Sequence, residues 1–326
     1  MKEYKALLEL FLKHLEAYRS GLQQQAPKEL YDPEDYMLGL GGKRLRPLLA
    51  LIACDLFDKD PKLALDSALA VELFHNFSLI HDDILDNAPL RRNQDTVHVK
   101  WNSNIAILSG DVMLVQSFRT LESYGFKEFK KLSALFSKTA VEVCEGQQLD
   151  MNFETVSSVT VSEYIRMITY KTAVLLGCSL KMGAINAYAA DEDQNYIYEF
   201  GKHLGIAFQL LDDLLDAFAE DAGQFGKQTG GDIIANKKTF LLLKAMELAS
   251  DKQKKELAKL LKTKDPVKKV SGVLALYDAL DIKTLCRQEA DKHTNLAIDY
   301  LRKIQAASAR KKQLERFALE LLNRQT

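Results

Sequence analysis

Nothing between Pro89 and Pro266 is proline, and through most of that span apolar residues recur at steps of three and four. Proline removes a backbone donor and interrupts helices, so a long proline-free run with that period leaves few alternatives to helix. The stretches VMLVQSFRTL, EYIRMITYKTAVLLGCSLKMGAI and EFGKHLGIAFQLLDDLLDAFAE carry the pattern. Alternating strand patterns with hairpin signals are scarce. The expected fold class is all-α, with about ten helices forming one large bundle around a central cavity. Loops are expected at 39–46, 87–95, 155–160, 223–232 and 262–266. No composition shift marks a linker, so residues 1–326 are expected to form a single domain. The Lys-rich, leucine-periodic segment from Ser250 onward reads as solvated helices covering the core.

Two acidic clusters interrupt this apolar background: Asp82-Asp83-Ile84-Leu85-Asp86 and Asp212-Asp213-Leu214-Leu215-Asp216. On a helix, positions i and i+4 share a face, so Asp82 stacks over Asp86 and Asp212 over Asp216. Like charges at that spacing cost roughly 0.2–0.5 kcal/mol per pair, and more among buried leucines and phenylalanines. A sequence shaped for stability alone has no reason to do this twice. Divalent cations held by both clusters explain it. The donors are carboxylate oxygens with no accompanying His/Cys set, which favours a hard ion such as Mg²⁺ over zinc or iron. Mg²⁺ typically completes its shell with water and substrate phosphate oxygens, so a phosphorylated ligand is expected. FSLIHDDILD and FQLLDDLLD also form a weak internal repeat, which suggests two helices facing each other across the core.

The net charge of −1 over 326 residues argues against a general nucleic-acid or membrane-surface binder, so cationic chemistry must be local. Local groups exist: Gly41-Gly42-Lys43-Arg44-Leu45-Arg46-Pro47, Arg91-Arg92, Lys171, Lys227 and Lys237. Arginine forks suit bidentate phosphate contacts and lysine acts as a point charge, so two diphosphates could be held, one through Mg²⁺ and one by cations alone. The four cysteines are scattered without CxxC spacing, as in a reducing compartment. The N-terminal stretch lacks the apolar core of a signal peptide, and no run of about 18 apolar residues suggests a membrane span. A cytoplasmic protein is expected. Met151, Met167 and Met182 read as core filler.

The motifs GGKRLRP at 41–47, HDDILD at 81–86, Arg91-Arg92, Gly146-Gln147, Tyr170-Lys171-Thr172, FQLLDD at 208–213, and Phe225-Gly226-Lys227 through Gly231-Asp232 resemble, in order and spacing, those of the trans-type isoprenyl diphosphate synthases of the polyprenyl synthetase family. The resemblance implies the isoprenoid synthase fold and a Mg²⁺-dependent prenyltransferase that condenses isopentenyl diphosphate with allylic diphosphates. The implied products are short-chain, C20 geranylgeranyl or C15 farnesyl diphosphate. It implies an allylic diphosphate bound with three Mg²⁺ ions through Asp82, Asp86 and Asp212, with Asp83 and Asp216 nearby. Arg91, Lys171 and Lys227 would hold that diphosphate. Isopentenyl diphosphate would sit on Lys43, Arg46, His75 and Arg92. Gln209 and Thr172 would stabilise the reacting region, and Lys237 would approach the leaving diphosphate. A homodimer is implied, and no nucleic-acid partner.

The sequence departs from the family pattern in places. The usual RRGxPT is Arg91-Arg92-Asn93-Gln94-Asp95-Thr96, and Asn236 replaces the glycine before Lys237. Asparagine tolerates left-handed φ, so both asparagines should serve; Asp95 for proline should loosen the loop. Phe77 lies five residues before Asp82, about 7.5 Å along a helix, with small Ser78 beside it and Phe74 about 12 Å upstream. Phe77 is therefore expected to floor the pocket of the growing chain. His81 reads as a hydrogen-bonded structural group. Two other classes compete. Terpene cyclases need no second diphosphate site, which leaves Lys43, Arg46 and Arg92 without a role. Regulatory subunits of hetero-oligomeric synthases lose acidic clusters, and this chain keeps both.

Overall fold

The computed structural model describes residues 4–218 and 230–323, and helix follows helix through them. Among the described residues the only strands are Leu90–Arg91 and Gln94–Asp95, paired antiparallel. The sixteen α-helices among the described residues exceed the expected ten because periodicity does not register one-turn pieces such as Val97–Lys100 and Gly231–Ile234. Prolines mostly sit where a missing N–H costs little: Pro47 in the first turn of Leu45–Leu56, and Pro266 opening Pro266–Ala279. The exception is Pro33, inside Lys28–Gly39.

Contacts divide the chain into two compact units, neither continuous in sequence. One comprises Met1–Lys138, Cys178–Tyr198 and Lys303–Leu314; the other comprises Thr139–Gly177, Glu199–Arg302 and Glu315–Thr326.

The first unit is built around the helix Leu65–Leu85, which packs on Ser103–Arg119 and Leu45–Leu56. By length and composition Pro61–Leu85 could cross a bilayer, but 67% of its apolar window is buried inside the protein, so it reads as a core helix. Gly183 brings the helix Val174–Asn186 so near Leu45–Leu56 that any Cβ would overlap the Ala50 carbonyl. Beside these, Arg44 is buried and donates to Glu72 and to the Leu38 carbonyl, while Asn76 donates to Glu72 at 3.0 Å. A buried charge so completely paired is a structural anchor, and it is unavailable to a ligand.

The second unit has its own apolar core, including Tyr164, Met167, Leu210, Leu214, Phe240, Leu257, Val273, Tyr277 and Cys286. The Lys-rich C-terminal segment behaves as expected, since Leu257, Val273 and Tyr277 point into this core. Met167 and Met182 are core residues, whereas Met151 is 38% exposed and does not fill the core.

Candidate active site

In the first unit, Asp82 and Asp83 lie in the last turn of Leu65–Leu85, and Asp86 caps its C-terminal end. That end carries the negative pole of the helix dipole, so three carboxylates there are a locus for cations. Consecutive helical residues are about 100° apart, which separates their fates. Asp82 is half-buried and Asp86 exposed, whereas Asp83 turns inward and is 2% exposed. Both Asp83 oxygens accept from Arg91, at 2.8 Å from Nε and 2.7 Å from Nη2. The bidentate pair ties the acidic helix end to the hairpin that carries the double arginine.

That hairpin turns on Arg92-Asn93, both left-handed at φ 54° and 61°. Two positive φ values at the centre of a two-residue hairpin give the twist that flanking strands require. Asn93 thus serves where the family has glycine. Asp95, expected to loosen the loop, pairs across from Leu90, and its carbonyl accepts the Tyr36 hydroxyl at 2.8 Å. The turn delivers Arg92 to the glycine loop, where its guanidinium donates to the Gly41 carbonyl and occupies the space a Gly42 side chain would need. Arg46 meets His75 at 3.2 Å. Arginine can only donate, so His75 Nε2 accepts and the ring is neutral. Burial holds His75 well below its ordinary range, and Arg46, Arg92, Arg91 and Arg44 add to the effect. Burial also lowers Arg46 to about 10, and its Nε is buried without a partner. Lys43 is exposed on the same loop. Arg46, His75, Arg92 and Lys43, separated in sequence, are therefore gathered around one loop.

In the second unit, the other acidic cluster lies in the C-terminal part of the helix Asp191–Phe218. Asp212 is exposed and Asp216 half-buried, while Asp213 is 4% exposed. Asp213 accepts from the Tyr164 hydroxyl and from Gln209 Nε2 at 3.2 Å. Burial pushes Asp213 up to about 7, and the Tyr164 hydrogen bond opposes that rise. Asp216 accepts from the Asp232 N–H at 2.9 Å, and Lys237 lies 3.9 Å from Asp232. Asp213, Asp216, Asp232 and Lys237 line one small cavity. Asn236 is left-handed at φ 57°, the conformation its place in the motif requires.

Thr169–Ala173 forms a single π turn after the helix Val161–Ile168. Any Cβ at Gly146 would strike the Lys171 backbone, and one at Gly205 would lie 2.6 Å from Ala173 Cα. The turn is therefore clamped between two glycine-smoothed helix surfaces. It presents Lys171 to Asp150 at 2.6 Å and Thr172 to Gln209 at 3.3 Å. Lys227 lies outside the described residues.

A family model described as polyprenyl synthetase matches residues 27–280. The chain belongs to the polyprenyl synthetase family. It is 35% identical over 296 residues to a short chain isoprenyl diphosphate synthase of Methanothermobacter thermautotrophicus, covering 90% of each chain. It is 38% identical over 288 residues to a geranylgeranyl diphosphate synthase of Saccharolobus solfataricus, covering 85% of this chain and 84% of that one. Among solved structures, a geranylgeranyl pyrophosphate synthase superposes with a TM-score of 0.93 at 43% identity over 99% of both chains. The Pyrococcus horikoshii geranylgeranyl pyrophosphate synthetase gives 0.92 at 32% identity, also over 99% of both. The all-α isoprenoid synthase fold expected from the sequence is the fold observed.

Sequence reading of this polyprenyl synthetase missed Tyr164, Asp150, Asp213 and Asp232 as partners of the named residues. Asp150 follows Gly146 by one helical turn, a spacing that could have flagged it. Tyr164 carries no local signal, because its role depends on a residue 49 positions away. Among the described residues, no group of three or more His, Cys, Asp or Glu side chains is arranged to hold a metal by itself. Mg²⁺ takes several of its ligands from water and phosphate oxygens, so it needs few protein donors. The all-oxygen donors of the two clusters fit the ion.

Phe77 is 8% exposed, with its ring 5.5 Å from Phe74 and 4.8 Å from His81; Phe74 in turn meets Phe136 at 5.5 Å. His81 also lies 3.3 Å from the Ile107 carbonyl and rests on Gly110, in keeping with a structural role.

Proposed function

We propose that this polyprenyl synthetase is a short-chain trans-prenyltransferase, joining isopentenyl diphosphate head-to-tail to allylic diphosphates up to C20 or C15. The observation that carries the reading is the cationic group of Arg46, Arg92 and neutral His75, separate in chemistry from the acidic clusters. A cyclase acting on one diphosphate has no use for it. A subunit without activity has no use for two complete carboxylate clusters.

Asp82 and Asp86 in the first unit, and Asp212 with Asp216 in the second, would each be carboxylate donors for the Mg²⁺ ions of the allylic diphosphate, with Asp83 acting through Arg91. Bound Mg²⁺ supplies positive charge to the leaving diphosphate. Lys171, Lys227 and Lys237 add to that charge as the allylic C–O bond breaks and its electron pair leaves with the diphosphate. Arg46, Arg92, Lys43 and His75 hold isopentenyl diphosphate so that its double bond attacks the allylic carbon. Thr172 and Gln209 line the reacting region. The proton released from the new chain goes to the departing diphosphate, so no side-chain nucleophile is required. Apolar walls keep water from the carbocation, and Phe77, backed by Phe74 and Phe136, closes the pocket.

The reading extends to a homodimer and to residues 1–326 acting as one catalytic domain. Leu108 and Val115, exposed at 58% and 57%, share one face of Ser103–Arg119 and supply an apolar contact surface.

The test is incubation of the protein with Mg²⁺, isopentenyl diphosphate and dimethylallyl, geranyl or farnesyl diphosphate, read by mass spectrometry. Elongation ending at C15 or C20 is expected, with no turnover when isopentenyl diphosphate or Mg²⁺ is withheld. A folded protein that elongates none of the three would defeat the proposal.

A further inference from the structure

The second acidic cluster presents a mechanical difficulty. Asp212 is exposed, so packing around its own side chain does little to aim it. Its direction is set by how the helix Asp191–Phe218 is rotated about its axis, since each residue takes about 100° of turn. Leu210 and Leu214 pack that helix into the core, and two polar cross-links, both from one short stretch of chain, add to the constraint on its rotation. The Tyr164 hydroxyl donates to Asp213 Oδ2, and Thr172 Oγ1 donates to Gln209 Oε1 at 3.3 Å. Gln209 and Asp213 lie one turn apart, and Gln209 Nε2 joins them at 3.2 Å, so the links form a closed ladder.

The ladder's other rail is unusually well fixed. Thr160 caps Val161–Ile168 in a reciprocal arrangement with Glu163, and Tyr164 N–H bonds to the Thr160 carbonyl at 3.0 Å. At its far end, Gly146 and Gly205 clamp the π turn. Tyr164 itself is 2% exposed and Asp213 4% exposed, so neither side chain is available to solvent or to a large ligand.

We propose that Tyr164 is a positioning residue: through Asp213 its hydroxyl holds the rotation of the helix and hence the aim of the exposed Asp212. This rests on the reading that Asp212 and Asp216 serve a Mg²⁺-bound diphosphate. Tyr164 does not touch that ligand; it sets where the Asp212 carboxylate points. Asp213, in turn, serves as the handle by which the helix is held.

The experiment compares wild type with Tyr164→Phe, which removes one hydroxyl and keeps the ring. The first readout is calorimetric titration of inorganic pyrophosphate with and without Mg²⁺. The Mg²⁺-dependent part of the affinity is expected to fall about tenfold or more, and the Mg²⁺ concentration for half-maximal turnover to rise by a similar factor. Binding of isopentenyl diphosphate without Mg²⁺ should stay within twofold, which a general loosening of the protein would not allow. Adding Asp213→Asn to Tyr164→Phe should cost little further, because the two act as one unit. A folded Tyr164→Phe whose Mg²⁺-dependent affinity stays within twofold of wild type would overturn the positioning role. If Tyr164→Phe does not fold, Tyr164→Phe with Asp213→Asn carries the same test, since a neutral amide at position 213 needs no donor from position 164; wild-type Mg²⁺-dependent affinity in that pair would overturn it equally. Absence of Mg²⁺-dependent pyrophosphate binding in wild type would sink the functional reading and the positioning role together.

Discussion

Asp83 and Asp213 hold the same place in their clusters, and both are withdrawn from solvent into a protein partner, Arg91 or Tyr164. The i, i+4 rule pairs the outer aspartates of each cluster; the 100° step between neighbours sends the second aspartate inward. Which partner waits there was not legible, because Arg91 and Tyr164 arrive from other elements. The two asparagine substitutions were legible: Asn93 and Asn236 take left-handed φ. That Arg92 does so too was not, since arginine gives no such signal. Phe77 supports a residue-level prediction. Phe77→Ala would remove the first aromatic of a stack continuing through Phe74 and Phe136, and product chains at least one C5 unit longer are expected by mass spectrometry. An unchanged product distribution from an active, folded variant would remove Phe77 from that role.

Among the elements, the π turn at Thr169–Ala173 was hidden in a sequence that reads as continuous helix. An extra residue in a turn leaves the apolar period almost intact, and only neighbours that fit the widened backbone reveal it. Those neighbours are glycines. Gly205→Ala would place a methyl 2.6 Å from Ala173 Cα and 2.8 Å from its Cβ, where backbone must move. The expected result is a loss of about 1–3 kcal/mol in urea unfolding, the usual cost of overpacking. Activity should fall further than that loss explains, because Thr172 and Lys171 sit in the displaced turn. Gly21→Ala, with nothing within 4 Å of the new Cβ, serves as the silent control.

Across the molecule, a half-buried site and a buried one respond to pH in opposite senses. His203 and His293 approach at 2.9 Å between Nδ1 atoms, flanked by Glu199, Lys202, Glu289 and Lys292. Burial, then the neighbouring His293, holds His203 down to about 4 from an ordinary 6.5. Between those values the unfolded chain binds more protons, so this contribution is lost as pH falls through that window. Glu34, in the other unit, is pushed by burial up to about 7 from 4.5, while its bond from Tyr18 opposes the rise and Asp35 adds to it. There the folded chain binds more protons, and stability falls as pH rises from about 4.5 to 7. Urea unfolding at about pH 7 and about pH 5 separates the two. On acidification Glu34→Gln should lose more stability than wild type and His203→Gln less, each by about 1 kcal/mol per pH unit. Variants that track wild type would refute both assignments. At the same scale, the proposed homodimer predicts that Leu108→Glu, which interrupts an exposed apolar face, lowers the sedimenting mass; a mass equal to that of wild type would remove this face from the contact.

Both compact units are assembled from three separated lengths of chain. No single cut yields either one intact, and no contiguous stretch of coding sequence specifies either alone. Transplanting either unit into another chain would therefore mean moving three separate segments together.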